Sequence, residues 1–168
     1  MQERVINTHT GKIYVNDEKE IEFLTVGDYG KENNIKADFL GLHKEIHGVV
    51  NSKVDLSKKW VATISTQKGC PMNCKFCDVP KFGYHGNVSM ENLEYQIRTI
   101  IKNENVRETE RFNVHFARMG EPTWNHDVLS FSMILKEVVW MCGLKAKTIH
   151  PVVSTMLPKG NKNLITFL

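Results

Sequence analysis

From Trp60 onward the chain alternates β-type and helical segments, and this alternation restricts its fold more than any other feature. Trp60-Val-Ala-Thr-Ile-Ser-Thr is short and rich in β-branched residues, as suits a strand buried in a parallel sheet. Asn87 or Ser89 caps the helix that follows, and Glu91 in its first turn suits the helix dipole. Leu93, Ile97, Ile100 and Ile101 mark its buried stripe. Arg111-Phe-Asn-Val-His-Phe-Ala alternates Phe112, Val114 and Phe116, which predicts a second strand. A second helix is predicted from about Asp127 to Cys142, with Gly143 at its terminating position. Val128, Leu129, Leu135, Val138 and Val139 supply its apolar face, Met133 and Met141 read as core filler, and Cys142 as a structural thiol. A third strand runs from Lys147 to Ser154, and a third helix begins at Asn163. Such alternation implies βαβ crossovers and a parallel sheet. The expected class is α/β: residues 60–168 form the first three βα units of an incomplete barrel, the leading half of a longer protein.

Residues 1–59 read as a small β-rich segment ahead of that unit. Lys12-Ile-Tyr-Val and Ile21-Glu-Phe-Leu-Thr-Val are strands around the polar turn Asn16-Asp-Glu-Lys, and Gly27-Asp-Tyr-Gly breaks the second. Asp38 caps a short helix reaching His47, with Gly48 ending it. His43 and His47 stand four apart on that helix, but no third ligand is evident, so with His9 they read as polar surface.

Chemistry concentrates in Gly69-Cys-Pro-Met-Asn-Cys-Lys-Phe-Cys, which follows the first strand of the alternating region. Three of the four cysteines fall there at the spacing C-x3-C-x2-C. Thiolates are soft ligands, and three in one loop will grip a soft metal centre. A structural zinc site closes with four protein ligands, and His85 is the available fourth. The gap of eight positions from Cys77 to His85 is longer than usual finger spacings. An iron–sulfur cluster with one open iron fits better, because that iron can take a small molecule. A disulfide is disfavoured by the crowding of the cysteines.

Hydrophobic residues make up 41% of the chain and charged residues 24%, ordinary values for a globular protein. No apolar run is long enough to cross a bilayer, and Met1-Gln-Glu-Arg-Val lacks a signal peptide's apolar core. The expected compartment is the cytoplasm, where thiols stay reduced. Residues 1–50 carry six basic and nine acidic groups, net −3, whereas residues 53–81 carry six lysines against Asp55 and Asp78, net +4. The cysteine loop thus lies in the most basic segment. That suits an anionic substrate such as RNA or an acidic electron donor, and it equally suits a solvated loop surface.

The run Ile64-Ser-Thr-Gln-Lys-Gly-Cys-Pro-Met-Asn-Cys-Lys-Phe-Cys-Asp-Val-Pro-Lys-Phe-Gly resembles the signature segment of the radical S-adenosyl-L-methionine (SAM) RNA adenine methyltransferases, the RlmN/Cfr-like branch. Met119-Gly-Glu-Pro and Val153-Ser-Thr-x-x-x-Pro follow in the order of that family's second and third strand-end motifs, so the resemblance covers about residues 60–160. Alone, the Gly-Glu-Pro turn and the Ser-Thr pair would carry little weight. The resemblance implies a radical SAM (β/α) barrel in which Cys70, Cys74 and Cys77 ligate a 4Fe-4S cluster and Phe76 lies beside it. It implies that Gly120, Glu121 and Pro122 line the site of SAM's amino group, and that Ser154 and Thr155 give hydroxyl contacts. It further implies reductive cleavage of SAM to a 5′-deoxyadenosyl radical, fed by a reductant such as flavodoxin or ferredoxin. Thr63 stands where the family carries the first of two methyl-handling cysteines, so the methyl-carrying mechanism is not implied.

Overall fold

The computed structural model describes residues 3–8, 11–27 and 55–167. Strands β1 (Glu3–Asn7), β2 (Gly11–Asn16) and β3 (Ile21–Gly27) form an antiparallel meander, and β3 lies antiparallel beside β4 (Lys59–Ile64). After β4 come a small ribbon, β5 (Gln67–Gly69) with β6 (Tyr84–Asn87), and helix α1 (Met90–Lys102). Strand β7 (Glu108–Phe116) pairs parallel with β4. Helix α2 (His126–Met141) leads to β8 (Lys145–Val153), parallel to β7, and α3 (Leu164–Phe167) is a single turn. One six-stranded mixed sheet results, in the order β1-β2-β3-β4-β7-β8. The α/β class and the three βα steps follow the sequence pattern, whereas the antiparallel join of β3 to β4 and the strand β1 were not expected. The segment expected as a helix from Asp38 to His47 lies outside the described residues, as does His9.

The strand period explains which face the helices cover. Trp60, Ala62 and Ile64 on β4 and Phe112, Val114 and Phe116 on β7 are fully buried, and they share one core with Leu93, Ile97, Ile100 and Ile101 of α1 and Val128, Phe131, Leu135, Val138 and Val139 of α2. Trp60 and Phe112 oppose each other in register and meet edge to face at 5.3 Å, a favoured aromatic geometry. The indole N–H of Trp60 donates to Thr25 Oγ1 at 2.5 Å, so burying it leaves no orphan donor. Leu24, Val26 and Val61 form a second, smaller cluster.

Ser89 caps α1 by accepting from the Asn92 N–H, and Asn125 caps α2 by accepting from the Asp127 N–H. Met133 and Met141, expected in the core, are instead 78% and 75% exposed. The helix turns 100° per residue, so Met133 sits about 200° round the axis from buried Phe131. No helix among the described residues is long and apolar enough to cross a membrane.

His115 points from β7 to the side opposite Phe116. Burial, aided by the charge of Lys59, holds its imidazole below the usual histidine range. The unfolded chain therefore takes the proton first, and stability should fall as pH drops through about 6.5. Urea unfolding across that window should show the loss, and His115→Gln should flatten it. An equal slope in both proteins would remove His115 as the cause.

Candidate functional site

Three loops leave the C-terminal ends of β4, β7 and β8, and side-chain hydrogen bonds tie them together. After β4, the chain enters the β5–β6 ribbon, which brackets the cysteine loop. The Cys70 N–H donates to the Gly83 carbonyl (3.2 Å), closing the loop at its base. Inside it, the Cys77 N–H donates to the Cys74 carbonyl (3.1 Å), and a 3-10 turn over Val79–Phe82 leads back to β6. Gly69 makes this possible. Its φ is +72°, and a Cβ there would lie 1.9 Å from the Gly83 carbonyl oxygen.

The base of the ribbon is fixed by amide side chains that sequence reasoning did not single out. Gln96 of α1 accepts from the Ser65 N–H at 2.8 Å and donates to the Ser65 carbonyl at 3.0 Å, copying a strand partner. Asn125 donates to the Thr66 and Val88 carbonyls at 2.7 and 2.8 Å. Gln67, fully buried, accepts from the Glu121 N–H at 2.8 Å and donates to Asn87 Oδ1 at 2.8 Å. Gln67 lay inside the quoted cysteine-loop motif, so its position was visible although its role was not.

The loop after β7 turns sharply at Gly120. Here φ is +99°, and a Cβ would come within 2.5 Å of Gln67 Cβ. Glu121, only 2% exposed, accepts at Oε1 from the Thr123 N–H (3.3 Å), Thr123 Oγ1 (2.7 Å) and Thr155 Oγ1 (2.5 Å), and at Oε2 from the Met156 N–H (3.0 Å). Pro122 opens a 3-10 turn and is buried. Thr155 is partly buried, whereas Ser154 is exposed.

The three loop cysteines are free and half-buried. Burial pushes the Cys70 thiol up; a hydrogen bond from the Met72 backbone opposes this, while the charges of Cys77, Cys74 and Glu121 push it further up. Three thiols in one loop are a soft donor set, which suits an iron–sulfur centre. Among the described residues, no group of three His, Cys, Asp or Glu side chains is already set to hold a metal ion. His85, the fourth ligand a closed zinc site would use, has its Nδ1 2.6 Å from Glu20 Oε1 at the β2–β3 turn. Phe76 and Phe82 stand 81% and 72% exposed around the loop. A groove of about 510 Å³ between α2 and β8 is lined by Lys136, Trp140 and His150, with no cysteine in its lining.

No protein-family model matches the chain. Over 112 residues, 63% of this chain and 31% of the relative, it is 33% identical to the dual-specificity RNA methyltransferase RlmN of Nautilia profundicola. The chain is RlmN-like over about half its length. A probable RlmN of Prochlorococcus marinus is 38% identical over 80 residues, which are 48% of this chain and 22% of that protein. The RlmN of a Sulfurovum species is 31% identical over 90 residues, 54% of this chain and 24% of its own. The matches thus span less than a third of the RlmN relatives' length.

Proposed function

We propose that this chain carries the cofactor-binding part of a radical SAM methyltransferase-like enzyme acting on RNA. The observation that carries the reading is the convergence of three loops, each bearing one RlmN-like motif, at one end of a parallel run of strands. In open α/β sheets, that end is where ligands bind. On this reading β4, β7 and β8 with their helices are the opening units of a partial (β/α) barrel. Residues 1–59 form a segment distinct in role from 60–168.

Cys70, Cys74 and Cys77 would hold a 4Fe-4S cluster, and Phe76 would flank it. Gly120, Glu121 and Pro122 would line the amino end of SAM, with Ser154 and Thr155 beside it. When bound, cluster and SAM supply one-electron cleavage of a carbon–sulfur bond, yielding a 5′-deoxyadenosyl radical. The chain's own residues bind and orient. The β5–β6 ribbon presents the thiols, Gln67 and Asn125 fix its base, and the Gly120 turn brings the second loop against Gln67. The lysines of the 53–81 segment suit an RNA backbone or an acidic flavodoxin or ferredoxin. The cytoplasm, where thiols stay reduced, suits such a cluster.

Anaerobic reconstitution with iron and sulfide tests this directly. The expected product is brown, with about four irons per chain, and binds SAM. A colourless protein holding stoichiometric zinc and taking up no iron would overturn it.

A further inference from the structure

The geometry points to the Glu121 carboxylate as a clasp that positions the third strand-end loop, and not as a group that touches the ligand. This inference rests on the SAM-binding reading and refines it. A carboxylate that met an ammonium would present a free oxygen to the cavity. Here both oxygens face inward at 2% residue exposure and receive four hydrogen bonds, two of them from Thr155 Oγ1 and the Met156 N–H on the loop after β8.

What the clasp holds is a segment that would not keep its shape alone. Leu157 has φ of +50°, a left-handed conformation uncommon for a residue with a side chain. Its N–H donates to Thr155 Oγ1 at 3.0 Å, so the hydroxyl passes the tether on from Glu121. Thr155 Oγ1 spends its single proton on Glu121 and one lone pair on Leu157. A second strap runs from Asn161 Nδ2 to Thr123 Oγ1 at 2.6 Å, and Thr123 is itself bound to Glu121. On the other side, the Glu121 N–H is held by Gln67, which reaches Asn87 of the cysteine-loop ribbon. Glu121 is therefore the joint through which the second loop registers the third against the first. It is a positioning residue, acting on ligand through Ser154 to Leu157.

The inference separates from direct contact by ligand choice. Anaerobically reconstituted full chain is titrated with SAM and with its des-amino analogue, which lacks only the α-amino group. Glu121→Gln turns one acceptor oxygen into a donor facing existing donors, and should weaken both ligands alike, by about ten-fold. Thr155→Val should do the same and Thr155→Ser should restore wild-type affinity. The Glu121→Gln, Thr155→Val double variant should be no worse than either single one, because both break one joint. In the cofactor-free chain, Glu121→Gln should speed hydrogen exchange at the Met156 amide. Loss confined to SAM, with the des-amino analogue unaffected, would make Glu121 an ammonium ligand and overturn the clasp. Unchanged exchange at Met156 would overturn it as well. If the wild-type chain loads no iron or binds no SAM, the functional reading fails, while the exchange measurement still decides the clasp.

Discussion

Cys70→Ala, Cys74→Ala and Cys77→Ala should each abolish iron loading under conditions that give the wild-type chain about four irons. The effect is expected to be total because each thiol is one of the three the loop offers to the cluster. Cys142→Ala should load normally. That thiol sits at the C-cap of α2, where the chain enters β8, at the end of the sheet away from the three loops. Burial pushes its pKa up, so it is a poor thiolate in any case. Iron content with the visible thiolate–iron charge-transfer absorbance reads the result. Normal loading in any one of the three variants would remove that cysteine from the site.

Gly69→Ala should be nearly as damaging, although it removes no ligand. The added methyl would sit 1.9 Å from the Gly83 carbonyl oxygen, a backbone atom already accepting from the Cys70 N–H. Neither partner can rotate aside, so the β5–β6 ribbon must part at the base of the cysteine loop. Left-handed strain and overpacking together should cost on the order of 3 kcal/mol. Gly86 provides the control. Its φ is +107°, but nothing lies within 4 Å of a Cβ there, so Gly86→Ala pays the strain alone. Thermal unfolding and iron loading should rank wild type above Gly86→Ala, and Gly86→Ala well above Gly69→Ala. Equal behaviour of the two variants would mean that the ribbon does not frame the loop.

The elements that sequence revealed are those whose periodicity is enforced by burial. Phe112, Val114 and Phe116 alternate because only one face of β7 meets the helices, and Leu93, Ile97, Ile100 and Ile101 repeat because α1 lies on that face. Where burial does not discipline the pattern, the signal fades. Strand β1 is mostly exposed, and β5 and β6 are three and four residues long, too short for a period to register. Methionine is a poor witness to burial, since Met133 and Met141 share an exposed side of α2 with Trp140. The cysteines and strand-end motifs were legible from spacing and order. The polar joints were not: Gln67, Gln96 and Asn125 are ordinary amides in sequence, and only the fold reveals that each replaces a missing backbone partner.

The order β3-β4-β7 leaves β4 with a neighbour on each edge. A ring of parallel strands closes by joining its first strand to its last, and on β4 the edge for that seam is already taken by an antiparallel neighbour. Among the described strands, the parallel run β4-β7-β8 therefore has a free edge only at β8, on the side away from the N-terminal meander. Among the described residues, β1 and β8 are therefore the two outer edges of the sheet, one bordered by an antiparallel partner and the other by a parallel one.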